Sequence, residues 1–258
     1  MAATDVLLHN TQEANRLREA GLRSVEELGE NELSSATILL PAHGSTRAER
    51  DARVAGAHAV IDLVCPIVEH ARTAAAELAD AGLPVVIVGD RGHRETRYLM
   101  EAAERHLVDI VSSPDDLPES REFPASLGIV CQTTQSREFR TYVLSWMHDH
   151  GIEVVERFTL CPEVLRRQDC AAFLVERCTA ALVLGDASSA NTRRLVAVAA
   201  ARCARTILIE KSEDISAAHL ACSDTVGILS GTSCPQTTID AVVRTIRDAF
   251  PQASLEVI

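Results

Sequence analysis

Two cysteines, each followed by proline, stand 96 positions apart in this 258-residue chain: Cys65-Pro66 and Cys161-Pro162. Proline is well placed at the first position of a helix, where its missing N–H leaves no bond unmade. Each cysteine is therefore expected at a helix entrance, facing the positive end of the dipole, where sulfur can serve as nucleophile or metal ligand. A second set of residues is polar. His9, His43 and His93 follow apolar runs or lie in the next turn, and Ser188, Ser189, Asn191, Thr232 and Ser233 precede or open helical stretches. Uncharged donors of this kind, together with helix N-termini, suit a phosphate or diphosphate. Glu95, two residues after His93, places an acid where it could deliver protons. Plainer readings stand beside these. The cysteines could be equivalent core positions, the Ser, Thr and Asn residues N-caps and turn formers, and Glu95 a helix-stabilising first-turn acid.

The pattern recurs. Val88-Gly89-Asp90 is echoed by Leu184-Gly185-Asp186, again 96 residues on, and Gly128-Ile129-Val130 with Gln132-Thr133-Thr134 by Gly227-Ile228-Leu229 with Gly231-Thr232-Ser233, 99 residues on. Three echoes in one order at nearly constant spacing indicate duplicated modules. Part of a third copy precedes them, in Val6 to Asn10 and in Ile38 to Gly44. A cysteine another 96 residues before Cys65 would fall ahead of Met1, so the first module is expected to be incomplete at its N-terminus. The expected boundaries are 1–64 (with 246–258 packing on it), 65–160 and 161–245.

Apolar β-branched runs at 38–40, 60–64, 85–88, 127–131, 153–155, 181–184, 206–209 and 226–229 alternate with stretches of helical periodicity at 11–20, 66–82, 94–105, 136–149, 164–178, 191–203 and 236–249. Short apolar strands alternating with helices predict an α/β fold: three pseudo-symmetric αβ modules, parallel sheets covered by helices, and polar strand ends aimed at a central site.

Bulk properties exclude other classes. At 47% hydrophobic residues the chain is globular, and a net charge of −12 without a Lys/Arg cluster argues against nucleic acid. No apolar run approaches the roughly 20 residues needed to span a bilayer. The opening MAATDVLLHN lacks the basic and apolar regions of a signal peptide, so a cytoplasmic protein is expected. Its eight cysteines are then expected to be reduced, with no CxxC pair among them.

Taken in order, Leu8-His9-Asn10, Ala42-His43-Gly44, Asp62 to Pro66, Gly92-His93 with Glu95, Gln132-Thr133-Thr134, Cys161 with Arg167-Gln168, Gly185 to Asn191 and Gly231 to Pro235 resemble the 4-hydroxy-3-methylbut-2-enyl diphosphate reductase family, of LytB/IspH type. The resemblance spans nearly the whole chain. It implies an oxidoreductase of isoprenoid biosynthesis that removes the hydroxyl of an allylic diphosphate at a [4Fe–4S] cluster held by three cysteines. By this resemblance Cys65 and Cys161 are two of the ligands, and Glu95 and Thr133, with Gln132, form the catalytic group. His9, His43, His93, Ser189, Asn191 and Ser233 hold the diphosphate. The implied partners are a reduced ferredoxin or flavodoxin and a second copy or another chain supplying the missing N-terminal element.

This sequence departs from the family at three points. It lacks the opening glycine-rich Cys motif, it has Ala190 in place of the second of two serines, and it has Val164 where a polar residue follows the third cysteine. Several accounts of the absent thiol therefore stay open: a truncated start, a partner chain, substitution by Cys131 or Cys234, or a relative with an incomplete cluster or none. The last would be a non-redox enzyme or binding subunit for a phosphorylated or acidic small molecule.

Overall fold

The computed structural model describes residues 2–4, 7, 10–215, 220–222 and 224–256. The candidate His9 lies outside the described residues.

The elements alternate along the chain: β1 (Ala2–Thr4), α1 (Thr11–Glu19), β2 (Arg23–Ser24), α2 (Glu30–Leu33), β3 (Thr37–Leu40), α3 (Arg47–Val54), β4 (Ala59–Asp62), α4 (Pro66–Asp80), β5 (Val85–Val88), α5 (Arg94–Ala103) and β6 (Leu107–Val111). They continue as β7 (Ser126–Cys131), α6 (Arg137–Asp149), β8 (Glu153–Glu156), α7 (Pro162–Val175), β9 (Ala180–Leu184), α8 (Ala190–Ala200), β10 (Thr206–Ile209), β11 (Val226–Ser230) and α9 (Gln236–Ala249). The described strands form three sheets, ordered β2-β1-β3-β4, β6-β5-β7-β8 and β10-β9-β11, and every pairing is parallel. This is the α/β architecture expected from the sequence.

The chain divides into two compact units. The first comprises residues 1–8 and 14–162 and holds the first two sheets; the second comprises 9–13 and 163–258 and holds the third.

In the first unit, Val85, Val86, Ile87 and Val88 of β5 are wholly buried, as an inner strand covered on both faces must be. Pro66 opens α4, and Val68, Ala71, Ala74, Ala75, Leu78 and Ala79 line its buried face at helical spacing. A Cβ on Gly128 of β7 would lie 2.9 Å from a Leu78 methyl, so the glycine sets how closely α4 approaches the sheet. The second unit repeats this contact 96 to 99 residues on, with Gly227 of β11 against Leu174 and Cys178. Fully burying each large aliphatic side chain in these clusters contributes about 1.5–3 kcal/mol. The strands are thereby fixed, and their carboxyl ends present the polar turns.

Candidate functional site

In the first unit, the turn after β5 and the turn after β7 meet. His93 caps α5, its Nδ1 accepting the Glu95 amide at 3.2 Å. Glu95 follows in the first helical turn and is 2% exposed. One carboxylate oxygen accepts the Thr133 N–H at 2.5 Å and the other accepts the Thr133 hydroxyl at 3.0 Å. Burial pushes the Glu95 carboxyl up, against the Thr133 hydrogen bonds that favour the anion and with a smaller push from Asp90, to about 7. A carboxyl at that value, inside the fold and oriented at both oxygens, is suited to general-acid work near neutral pH.

Gln132 fixes the frame around it. Its Oε1 accepts the Asp90 amide at 2.8 Å and the Thr96 hydroxyl at 3.2 Å, while its Nε2 donates to the Thr134 hydroxyl at 2.8 Å. His43, 8% exposed, stands in the turn that follows β3.

The two candidate cysteines both lie in the first unit, half-buried and reduced. Each immediately precedes a proline-led helix, α4 or α7. The Cys65 amide donates to the Ala42 carbonyl and the Cys161 amide to the Thr133 carbonyl, both at 2.9 Å. Each cysteine is thus pinned by its backbone to the turn after the neighbouring strand, β3 or β7, which leaves its sulfur free of that task. Two partly accessible thiols at helix starts fit two ligand positions of an iron–sulfur group. Among the described residues, no set of three or more His, Cys, Asp or Glu side chains is gathered in a way that could hold a metal.

Of the two alternative thiols, Cys131 lacks this setting, whereas the half-buried Cys234 is followed by Pro235, the capping residue of α9. Cys131 is 1% exposed at the end of β7, and burial, with a smaller push from Glu156, drives its thiol up to about 12. Thr159 closes its backbone, donating to the Cys131 carbonyl and accepting its amide. Burial also pushes the Cys234 thiol up.

In the second unit, Ser189 caps α8 by accepting the Thr192 amide at 3.3 Å. Asn191, 2% exposed, has no hydrogen-bond partner among the described residues for either its amide nitrogen or its oxygen. Buried side-chain amides are rarely left so, and a polar group without a partner at a helix N-terminus is what an anionic ligand would satisfy. Ser233 joins this neighbourhood through its carbonyl, which accepts the Asn10 side-chain amide at 2.9 Å.

Three residues here were not among the sequence candidates. Asp186 accepts four hydrogen bonds, from the amides and hydroxyls of Ser188 and Thr11 at 2.6–3.0 Å. Burial raises its carboxyl, but those bonds outweigh it and hold the group well below the usual carboxylate range. Its signal was present in the Gly-Asp echo. Asn10 accepts the Glu13 amide, a capping pattern visible in Asn10-x-x-Glu13. Thr11 had no separate signal.

The family model described as LytB protein matches residues 1–247. The 4-hydroxy-3-methylbut-2-enyl diphosphate reductase of Geobacter metallireducens is 33% identical over 245 residues, covering 94% of this chain and 84% of the relative. The protein of the same name from Dictyoglomus thermophilum is 30% identical, covering 95% and 85%. A solved structure of (E)-4-hydroxy-3-methyl-but-2-enyl diphosphate reductase, described as the terminal enzyme of the non-mevalonate pathway, superposes with a TM-score of 0.62 at 29% identity, covering 96% of this chain and 88% of that one. The reductase from Plasmodium falciparum shares the fold at a TM-score of 0.84 and 20% identity, covering 96% and 78%. With a family match across nearly its whole length and relatives above 30% identity, the chain belongs to the LytB protein family.

Proposed function

We propose that this protein performs the reaction for which its relatives are named, reducing 4-hydroxy-3-methylbut-2-enyl diphosphate or a close allylic relative. The allylic C–O bond breaks; two electrons and two protons enter; one proton leaves with the hydroxyl as water and the other ends on carbon. An iron–sulfur group held by Cys65 and Cys161 among its ligands would supply the electrons and a Lewis-acidic iron.

The observation that carries this reading is the Glu95–Thr133 pair. A buried carboxyl near neutrality, held at both oxygens, can give a proton to a leaving hydroxyl and regain it without loss of geometry. Thr133 orients it, and Gln132 braces the turn. By resemblance, His43, His93, Ser189, Asn191 and Ser233 are assigned to the diphosphate. Asn191 has the strongest support, because its amide has no hydrogen-bond partner among the described residues. His9 takes the same role by resemblance.

The same reading divides the chain into repeated modules at 65 and 161. It also supplies a reduced ferredoxin or flavodoxin as electron donor and a cytoplasmic setting. A homodimer or partner chain belongs to it as well. Among the described residues, no helix is long and apolar enough to cross a membrane.

The test is anaerobic turnover of the allylic diphosphate with a chemically reduced donor, following formation of the dehydroxylated five-carbon diphosphates. Product formation that Glu95→Gln suppresses supports the reading. An iron-loaded, donor-reduced protein that binds the substrate and forms no product overturns it.

A further inference from the structure

Helix α5 carries Glu95 in its first turn and Tyr98 one turn later. The Tyr98 hydroxyl donates to Glu69 Oε2 at 2.7 Å, and Glu69 lies on α4, one turn after Cys65. The Tyr98 ring faces Gly44, which follows His43. Gly44 has φ +80°, a left-handed conformation that disfavours any side chain. A Cβ there would also collide with the Tyr98 ring. The Arg72 guanidinium stands 5.1 Å from the ring centroid and 3.4 Å from Glu69. Two further links bind the same segment to α5. The Arg47 amide donates to both Glu101 oxygens at 2.8 and 3.0 Å, and Arg97 pairs with Glu49 at 3.1 Å. All of these residues lie in the first unit.

We infer that Tyr98 is a positioning residue. By filling the space against Gly44 and bonding Glu69, it sets the His43 turn and the Cys65 end of α4 against the turn that carries Glu95. The apolar cluster beneath α4 and α5, which includes Ala71, Leu78, Ile87 and Leu99, is built without Tyr98. A ring and hydroxyl placed between three site-bearing segments, outside that core, serve registration more than bulk stability. The inference rests on the functional reading above for its consequence in turnover, while its geometric claim can be read without turnover.

The test uses Tyr98→Phe, which removes only the hydroxyl, and Glu69→Ala, which removes its acceptor. Both are made in the full chain. The first readout, with no ligand, is the ring-nitrogen NMR signals of His43. The second is KM against kcat for the allylic diphosphate in the iron-loaded enzyme. Each variant is expected to shift the His43 signals in the same sense. Each is also expected to raise KM about five- to tenfold, the scale of one lost hydrogen bond, with kcat within about twofold. The double variant should add little to Glu69→Ala alone, since both changes remove the Tyr98–Glu69 bond and Glu69→Ala also frees Arg72. His43 signals and KM unchanged in both variants would overturn the inference, as would fully additive effects. Should Tyr98→Phe fail to fold, Glu69→Ala breaks the same bond from the other side. If the parent protein turns over no allylic diphosphate, the functional reading fails, and the His43 signals alone still decide the role of Tyr98.

Discussion

Glu95 and Asn191 occupy the same position in two copies of one motif, 96 residues apart. Each is the second residue of its helix, each follows a capping residue (His93 or Ser189), and each precedes a fully buried threonine, Thr96 or Thr192. What differs is the facing turn. In the first copy Gln132 bonds Thr96 and Thr133 bonds Glu95. In the second, Gly231 stands where Gln132 stands, and neither the Asn191 side chain nor the Thr192 hydroxyl finds a partner among the described residues. One frame thus holds an acid that is fully engaged and an amide that is fully available.

The acid makes the first prediction. Glu95→Gln should lower kcat about 10²-fold or more while KM moves little, since the proton donor is lost and the shape is kept. In the parent enzyme the acidic form is the active one, so kcat should fall as pH rises through about 7. Equal losses in kcat and 1/KM would make Glu95 structural.

The same group sets a stability trend. Its folded pKa lies above the ordinary 4.5, so its contribution is fully present below 4.5 and is lost as pH rises to about 7. Thermal melts of Glu95→Gln should match the parent near pH 5 and exceed it near pH 8. A parent that melts higher than the variant at pH 8 would contradict the buried-acid account.

The amide makes the opposite kind of prediction. Asn191→Ala removes no side-chain hydrogen bond among the described residues, so its unliganded Tm should equal or exceed that of the parent. Its KM for the diphosphate should rise about tenfold or more. A large drop in Tm would show that Asn191 is structural.

The cysteines separate by position. Cys65→Ser and Cys161→Ser should each abolish bound iron after anaerobic purification. Cys178→Ser should not, because Cys178 follows α7 and donates to the Leu174 carbonyl. Iron that survives both of the first two changes would remove these residues from any ligand set.

Much of this was legible in the chain. The Cys-Pro pairs marked the starts of α4 and α7 because proline at a first helical position leaves little choice, and the buried strand β5 announced itself as four successive apolar residues. Other elements were hidden for physical reasons. Strand β6 carries Asp109 at its centre, paired with Arg91 and Arg121, because it is an edge strand open to water. Helix α3 has no apolar stripe to read; its Thr46–Glu49 capping box was the overlooked signal. Of the apolar run Val6 to Leu8, read as a strand, Val6 and Leu8 lie outside the described residues. The Tyr98–Glu69 bond joins residues on two helices, and no local pattern encodes it.

Thr133 spends its N–H and hydroxyl on Glu95 and its carbonyl on the Cys161 amide. Glu95 and Cys161 are therefore fastened to one residue from opposite sides, and neither can drift without the other. In exchange with heavy water, the Thr133 and Cys161 amides should lose protection at a common rate, opening as a single cooperative patch. Thr133→Val would keep both backbone bonds and cut only the hydroxyl, leaving that shared rate nearly intact while freeing one oxygen of the acid.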